Sequence, residues 1–459
     1  MNNDQNIILL TDSYKPSHWK QYPKGTTNIY GFLESRGGAF PEILFFGLQY
    51  LLKRYLTGPV VSDENIRNAR EIFAAHFGND IIFNEAGWKR ILKRHGGHLP
   101  IRIKAVPEGT AVPNSNVLMT VESTDSELAW LPNYLDPLLT QLWYPSTVAT
   151  QSMAMKNVIL EYLEETGDPA LIDFKLHDFG FRGSTSPESA AIGGAAHLVN
   201  FKGSDNLPAI LMLRRLYAEP MAGFSIPAAE HSTITAWGRH HEVDAFRNML
   251  EEFPEGLVAV VSDSYDIFKA CRELWGGELR EKVLQRNGTL VVRPDSGDPA
   301  TVVVKVLDIL GKAFGTETND KGYKVLDPHV RVIQGDGIDR HSLPVILSHM
   351  KSNGWSADNV AFGSGGGLLQ KVNRDTNRFA FKCSAAKIDG AWKDDIMKDP
   401  ITDPGKKSKS GRMKLIRENG IFRTVSDTAP GEDQLVTVFE DGRILKEWSL
   451  AEIRKKTNA

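Results

Sequence analysis

Val258-Ala-Val-Val-Ser-Asp-Ser-Tyr-Asp266 and Thr289-Leu-Val-Val-Arg-Pro-Asp-Ser-Gly297 share one grammar: a short, largely β-branched run, then a turn rich in Ser, Asp, Arg and Gly. The runs suit buried parallel strands. The turns carry the residue types that bind phosphate, metal and sugar hydroxyls. Working outward, five further motifs are of the same kind: His177-Asp-Phe-Gly-Phe-Arg-Gly183, Phe201-Lys-Gly-Ser-Asp205, Ile226-Pro-Ala-Ala-Glu-His-Ser232, Ile333-Gln-Gly-Asp-Gly337 and Phe362-Gly-Ser-Gly-Gly-Gly367. They recur about every 25 to 40 residues, the length of one βα unit, and helical periodicity fills the gaps at 231–252, 264–275, 299–314 and 340–352. A barrel of parallel strands gathers such turns at one end, where that architecture does its chemistry. The expectation is an enzyme built on an irregular TIM-like α/β barrel spanning 169–384.

On either side the pattern changes. Residues 1–168 read as an α+β domain. Strands are expected at Ile7–Leu10 and Asn28–Leu33, helices at 45–56, 63–76 (N-capped by Ser62) and 85–95, and a hairpin from Pro100–Val106 and Val117–Val121. Thr124-Asp-Ser-Glu127 has the spacing of a capping box opening a helix to Leu142, and a second helix is expected from Thr147 to Glu165, closed by Gly167. The tail, 385–459, returns to strand and loop sequence and is expected to pack back on the N-terminal domain. Its basic run, Lys406 to Lys414, reads either as a solvated loop or as a lid supplying polyphosphate contacts.

Composition narrows the class. The chain has 459 residues, 41% hydrophobic and 24% charged, with a formal charge of −3. That is an ordinary globular balance, with no global attraction to nucleic acid or anionic membranes. Two cysteines, Cys271 and Cys383, make no disulfide framework. No apolar stretch reaches the ~20 residues that span a bilayer, and the first residues lack signal-peptide character. The reading is cytoplasmic.

Each turn has a bland alternative. Gly365-Gly366-Gly367 after a strand lets backbone N–H groups converge on an anion, or is merely a flexible turn; it fits neither a Walker A nor a dinucleotide fingerprint. Arg293 and Asp295 offer a phosphate fork and a hydroxyl or metal ligand, or pair with each other. Asp263 and Asp336 add carboxylates without His/Cys metal spacing, which favours Mg²⁺ brought in on a polyphosphate over a Zn²⁺ site. Asp178-Phe-Gly180 has kinase letters without the rest of the kinase set. Phe179 is either a stacking surface or core, beside Arg182 as a phosphate clamp. His231 opens a helix, which favours a neutral, nucleophilic imidazole oriented by Glu230 or another carboxylate; a structural, hydrogen-bonded His is the alternative. His240 and His241 are expected further along the same helix, on its solvated face.

Thr11-Asp-Ser-Tyr-Lys15, Leu176-His-Asp-Phe-Gly180, Val199-Asn-Phe-Lys-Gly-Ser-Asp205, Pro227-Ala-Ala-Glu-His-Ser-Thr-Ile-Thr-Ala-Trp-Gly238 and Ala361-Phe-Gly-Ser-Gly-Gly-Gly-Leu-Leu-Gln-Lys371 together resemble the nicotinamide phosphoribosyltransferase family over nearly the full chain. The resemblance implies a Mg²⁺-dependent type II phosphoribosyltransferase of NAD salvage. Its substrates would be nicotinamide and phosphoribosyl pyrophosphate, with ATP hydrolysed through a phosphohistidine. It also implies a homodimer with active sites at the interface. Carried onto this chain, Phe179 and the partner subunit's Tyr14 would sandwich the pyridine ring, and Asp205 would accept from the carboxamide. Arg182, Arg293, Gly365 and Gly366 would hold nucleotide phosphate and ribose, Asp295 the ribose hydroxyls, with Ser225, Gly335 and Asp336 as further substrate positions. His231 would be phosphorylated, with Asp263 and His177 beside it. Arg36, Arg374, Lys382 and Lys406 would face pyrophosphate or ATP. Ala380 departs from relatives that carry Ser there, and the 36–43 turn is short, which leaves the ATP contacts open. The competing expectations are a nicotinate phosphoribosyltransferase and a non-catalytic nucleotide-binding protein. Asp205 separates the first from the main reading, and the joint presence of His231, Asp263, Arg293 and Asp295 separates the second.

Overall fold

The computed structural model describes residues 6–402 and 407–457. It divides into two compact units, 1–150 with 372–459, and 151–371.

The first unit is built on a seven-stranded antiparallel sheet in the order 391–393, 379–388, 26–35, 117–123, 101–105, 436–440, 443–444. The Thr26–Ser35 strand pairs along its length with Phe379–Ile388, Ser35 opposite Phe379 and Thr26 opposite Ile388. That pairing explains why the units divide at 371/372, where the sequence rhythm placed a boundary at 384; the other division falls at 150/151, where the rhythm placed it at 168. The hairpin expected from alternation is present, with Ile101–Ala105 antiparallel to Val117–Ser123. Ser62 caps the helix Asp63–Phe77 in a reciprocal capping box with Asn65, a device that contributes about 1 kcal/mol.

Two N-terminal expectations are corrected. Ile7–Leu9 is a 3₁₀ turn, because the Asn6 side chain accepts from the Ile8 N–H and curls the chain before a strand can start. The 124–142 stretch is no single helix. Asp125 caps a short 3₁₀ turn at Ser126–Leu128, and Thr124 donates instead to Asp441. Pro132 and Pro137 then each start a fresh turn, at Leu131–Tyr134 and Asp136–Thr140, since neither ring supplies an N–H to continue the previous one.

The second unit is an irregular α/β barrel. Six parallel strands run in the order 203–204, 176–178, 360–364, 330–334, 287–293, 255–261. Both edges meet the same short segment: Phe224 bridges in parallel to Gly203, and Ala228 bridges in parallel to Ala259. Hydrogen bonds Phe224 N–H to Lys202 O, Ser204 N–H to Phe224 O, Ala229 N–H to Ala259 O and Ala259 N–H to Pro227 O complete the closure. Ala259, Val291 and Ile333 form an inner cluster on which Ile226, Ala361 and Phe179 pack. The helix Pro299–Phe314 matches its expected span. Residues 231–252 do not form one helix: Gly238, at φ +86°, separates His231–Thr235 from the 3₁₀ turn Arg239–His241 and the helix Glu242–Glu252 that follows it. His240 and His241 are therefore in a turn, exposed.

Candidate functional site

Within the barrel unit the strand-end turns fall into one connected chain of contacts. It starts at the 176–178 strand. The His177 imidazole lies against Gly203, where a Cβ would come within 2.6 Å of the ring, and its Nε2 sits 3.0 Å from the Phe174 carbonyl. Burial lowers the His177 pKa, with the Asp205 charge opposing. Its ring centroid is 6.2 Å from that of Phe179. Phe179 in turn rests on Gly363, where an added Cβ would overlap the ring at 2.0 Å. Only glycine leaves room there. Asp205, exposed at the end of the neighbouring strand, accepts a short hydrogen bond from the Ser225 hydroxyl on the closing segment.

The Arg293 guanidinium lies 5.6 Å from the Phe179 ring centroid, within cation–π range. Its Nη2 and Nε donate to both oxygens of Asp295 at 2.9 to 3.1 Å. The two residues thus do pair with each other, and Gly335 packs on the pair: a Cβ there would meet Arg293 Nε and Asp295 Oδ1 at 3.1 Å. Asp336 is exposed beyond Gly335. A Cβ on Gly365 would lie 3.3 Å from the Phe179 carbonyl oxygen, and Gly366 lies 3.7 Å from the position a Gly183 Cβ would take. Arg182 is exposed on the short turn Phe181–Gly183 between them.

The chain of contacts ends at His231. Its Nε2 is 2.9 Å from Asp263 Oδ1; the imidazole is 47% exposed and the carboxylate only 4%. Asp263 Oδ2 accepts from the Asp295 N–H at 3.2 Å and from the Ser296 hydroxyl. The orienting carboxylate is therefore Asp263, and Glu230 is occupied by the Ser232 hydroxyl. Ser296 belongs to this site although its motif pointed only to Arg293 and Asp295. The helix that His231 opens is a single turn, His231–Thr235. Among the described residues no group of three or more His, Cys, Asp or Glu side chains is arranged around a metal position.

The remaining expected residues belong to the first unit. Tyr14 is 57% exposed. Arg36 donates from Nε to the buried Glu34 at 3.0 Å, and Lys409 pairs with the same carboxylate. One guanidinium nitrogen of Arg36, Nη2, is buried with no partner. Lys382 has its pKa lowered by burial and by Arg36, against Asp136, with Lys398 and Arg374 adding to the push. Arg36, Lys398 and Arg374 thus all push on the Lys382 charge, with Asp136 opposing them. Lys406 lies outside the described residues. The rest of the basic run is tied down where it is seen: Lys407 pairs with Asp399, and Lys414 Nζ donates to the Gly431 carbonyl.

Comparison with known proteins follows the same lines. Residues 174–443 match the nicotinate phosphoribosyltransferase (NAPRTase) family, and residues 6–103 match the N-terminal domain of nicotinamide phosphoribosyltransferase. A nicotinamide phosphoribosyltransferase of Xanthomonas campestris pv. campestris is 54% identical over 99% of this chain and 98% of its own length. One from Acinetobacter baylyi is 31% identical over 98% and 97%. Among solved structures, a nicotinate-nucleotide pyrophosphorylase from Pyrococcus furiosus aligns with a TM-score of 0.62 at 17% identity over 100% of this chain and 98% of that one. Human nicotinic acid phosphoribosyltransferase aligns at 0.56 and 17% over 98% and 93%. At those identities the two structures speak for the fold alone. Family match, near-complete coverage by relatives and the strand-end site agree, and the chain belongs to the nicotinamide phosphoribosyltransferases of the nicotinate phosphoribosyltransferase family, a pentosyltransferase.

Proposed function

We propose that this enzyme condenses nicotinamide with phosphoribosyl pyrophosphate to nicotinamide mononucleotide and pyrophosphate, and couples the reaction to ATP hydrolysis through a phosphohistidine at His231. The observation that carries the choice of base is Asp205. It is an exposed carboxylate at the ring-binding end of the site, with one oxygen taken by Ser225 and the other available. A carboxamide N–H₂ donates to that oxygen, whereas a nicotinate carboxylate is repelled by it. Phe179 supplies the flat surface, and burial, which lowers its pKa, keeps His177 an uncharged neighbour.

Arg293, Arg182 and the Gly365–Gly366 backbone hold the nucleotide phosphate, and Asp295 the ribose hydroxyls, with Gly335 and Asp336 lining the same end. Displacement at C1 of the ribose forms the bond to the pyridine nitrogen as the bond to pyrophosphate breaks. The positioned ring and the cations on the departing phosphates lower that barrier. Asp263 and Asp295 are the carboxylates on hand for Mg²⁺. An ion that keeps most of its waters and arrives on substrate phosphates needs only one or two, and it would neutralise the departing charge.

For the ATP step, Asp263 accepts from Nε2–H, so the neutral imidazole carries its lone pair on Nδ1. That nitrogen attacks the terminal phosphorus of ATP, and ADP leaves. The imidazolium character that develops is stabilised by Asp263, itself held by Asp295 N–H and Ser296. The cluster of Arg36, Lys382 and Arg374, together with Lys406, serves the pyrophosphate or ATP phosphates; the unpartnered Arg36 nitrogen and the mutually repelling charges at Lys382 support an anion there. The working form is a cytoplasmic homodimer in which the partner subunit's Tyr14 covers the second face of the ring.

Exchanging Asp205 tests the base assignment. In Asp205→Ser the ratio of kcat/KM for nicotinamide over nicotinate is expected to fall by at least about tenfold, or 1.4 kcal/mol. An unchanged ratio would place amide recognition elsewhere.

A further inference from the structure

The strand Leu176–Asp178 ends on a carboxylate that none of the assigned roles uses. Asp178 is fully buried, and among the described residues it forms no ion pair. Its Oδ1 accepts from the Gly180 N–H at 2.7 Å, and its Oδ2 accepts from Asn206 Nδ2 at 2.9 Å. Its main-chain oxygen accepts from the Asp205 N–H at 3.0 Å. Asn206 is also fully buried. Its amide gives a second hydrogen bond to the Ala190 carbonyl at 2.8 Å, and its N–H goes to the Ser204 hydroxyl at 3.0 Å. One acidic side chain therefore holds the residue after Phe179 and the residue after Asp205.

The surroundings are fitted to that carboxylate. The helix Pro187–His197 passes over it at Gly194, where a Cβ would come within 2.7 Å of Asp178 Oδ2 and 2.5 Å of Asn206 Nδ2. A Cβ on Gly180 would lie 3.0 Å from Oδ1. Enclosing a carboxylate without a countercharge is costly. Desolvation raises its pKa to about 6, against the Asn206 and Gly180 hydrogen bonds, with the Asp205 charge adding to the rise. Space-filling alone would be met more cheaply by an apolar side chain.

We propose that Asp178 is the positioning residue of the base pocket: through Gly180 and Asn206 it fixes the Phe179 ring and the Asp205 carboxylate relative to each other. The inference rests on reading those two side chains as the ring and amide contacts of nicotinamide. The contacts come from two separate strand-end turns, and a flat ligand gains from both only if their spacing is held. A misplacement of about 1 Å is enough to lose that gain. Asp178 touches no substrate atom and acts only through the two turns.

The test uses the full-length enzyme with two variants. In Asp178→Asn, the new amide keeps an acceptor for Gly180 but presents N–H₂ to the N–H₂ of Asn206. The second variant, Asn206→Ala, removes the tie to the Asp205 turn and leaves the Gly180 N–H on Asp178. Steady-state constants for both substrates are measured beside hydrogen exchange of segments 176–186 and 203–210. Expected for Asp178→Asn is a rise of about tenfold or more in KM for nicotinamide, with KM for phosphoribosyl pyrophosphate within about twofold. Exchange protection should fall in both segments for Asp178→Asn and in 203–210 alone for Asn206→Ala. A parallel loss in both substrates, or Asp178→Asn altering exchange in one segment only, overturns the proposal, as does Asn206→Ala loosening both segments alike. Should Asp178→Asn not fold, Asn206→Ala removes one tie alone and must loosen 203–210 while sparing 176–186. If the parent enzyme fails to use nicotinamide, the base assignment falls, while the exchange data still decide whether Asp178 couples the two turns.

Discussion

His231 owes its proposed chemistry to a residue 32 positions away. Asp263 reaches it because Ala228 bridges to Ala259, so the turns that follow both segments emerge side by side. Local sequence offered Glu230 as the orienting acid, but that carboxylate is spent on Ser232; which of several acids meets a histidine is set by strand neighbours and not by spacing along the chain. Incubation with γ-labelled ATP is expected to leave an acid-labile, base-stable phosphate on the enzyme, lost in His231→Ala. Label persisting in that variant moves the nucleophile elsewhere. Gly363 gives a second residue-scale prediction. A methyl there would occupy the Phe179 ring position, so Gly363→Ala should raise KM for nicotinamide by about tenfold or more through ring displacement. An unaltered KM would show that the ring has freedom the packing denies it. The glycine-rich and acidic segments were legible in the sequence as strand-end turns, and Arg293 does adjoin both Phe179 and Asp295. Their mutual contacts were not, because a fork onto phosphate and a fork onto a neighbouring carboxylate call for the same residue types.

At the scale of elements, strands with a continuous apolar run were readable and the closing one was not. Phe224-Ser-Ile-Pro-Ala-Ala-Glu230 has no β-branched run to mark it, yet its two bridges join the barrel's edges and carry Ser225 to Asp205. Helix breaks also escaped the periodicity, since Gly238, Pro132 and Pro137 interrupt apolar patterns that continue across them. The buried Asp178 gives the barrel a pH signature. Its pKa rises from 3.8 to about 6 in the fold, so the folded state holds its proton more tightly than the unfolded chain. Stability from this group is greatest below about 4, falls as pH rises toward 6, and stays lower above it. The difference is on the order of 3 kcal/mol. Urea unfolding of Asp178→Asn and of the parent at pH 4.5 and 7.5 should show the variant gaining relative stability at the higher pH; a pH-independent difference would mean that the carboxylate titrates normally.

The whole molecule sets the remaining question. One unit carries His231 and the proposed pocket for the base; the other carries Tyr14 and the Arg36–Lys382 cations. The tail's return to strand sequence led to the expectation that 385–459 packs on the N-terminal domain, but hydrophobic rhythm could not show that 372–384 joins it too, because sheet partners hundreds of residues apart leave no local mark. If the ring is covered by the partner subunit's Tyr14, inactive Tyr14→Ala and Phe179→Ala enzymes should complement when subunits are exchanged. Random pairing leaves about a quarter of the sites intact. Activity no greater than the average of the two parents would mean that each chain builds its own pocket. The central claim concerns the base. With phosphoribosyl pyrophosphate and Mg²⁺, in the presence and absence of ATP, nicotinamide and nicotinate are offered in competition and the mononucleotides separated. The account predicts nicotinamide mononucleotide as the dominant product, with ATP strengthening its formation; faster conversion of nicotinate would contradict it.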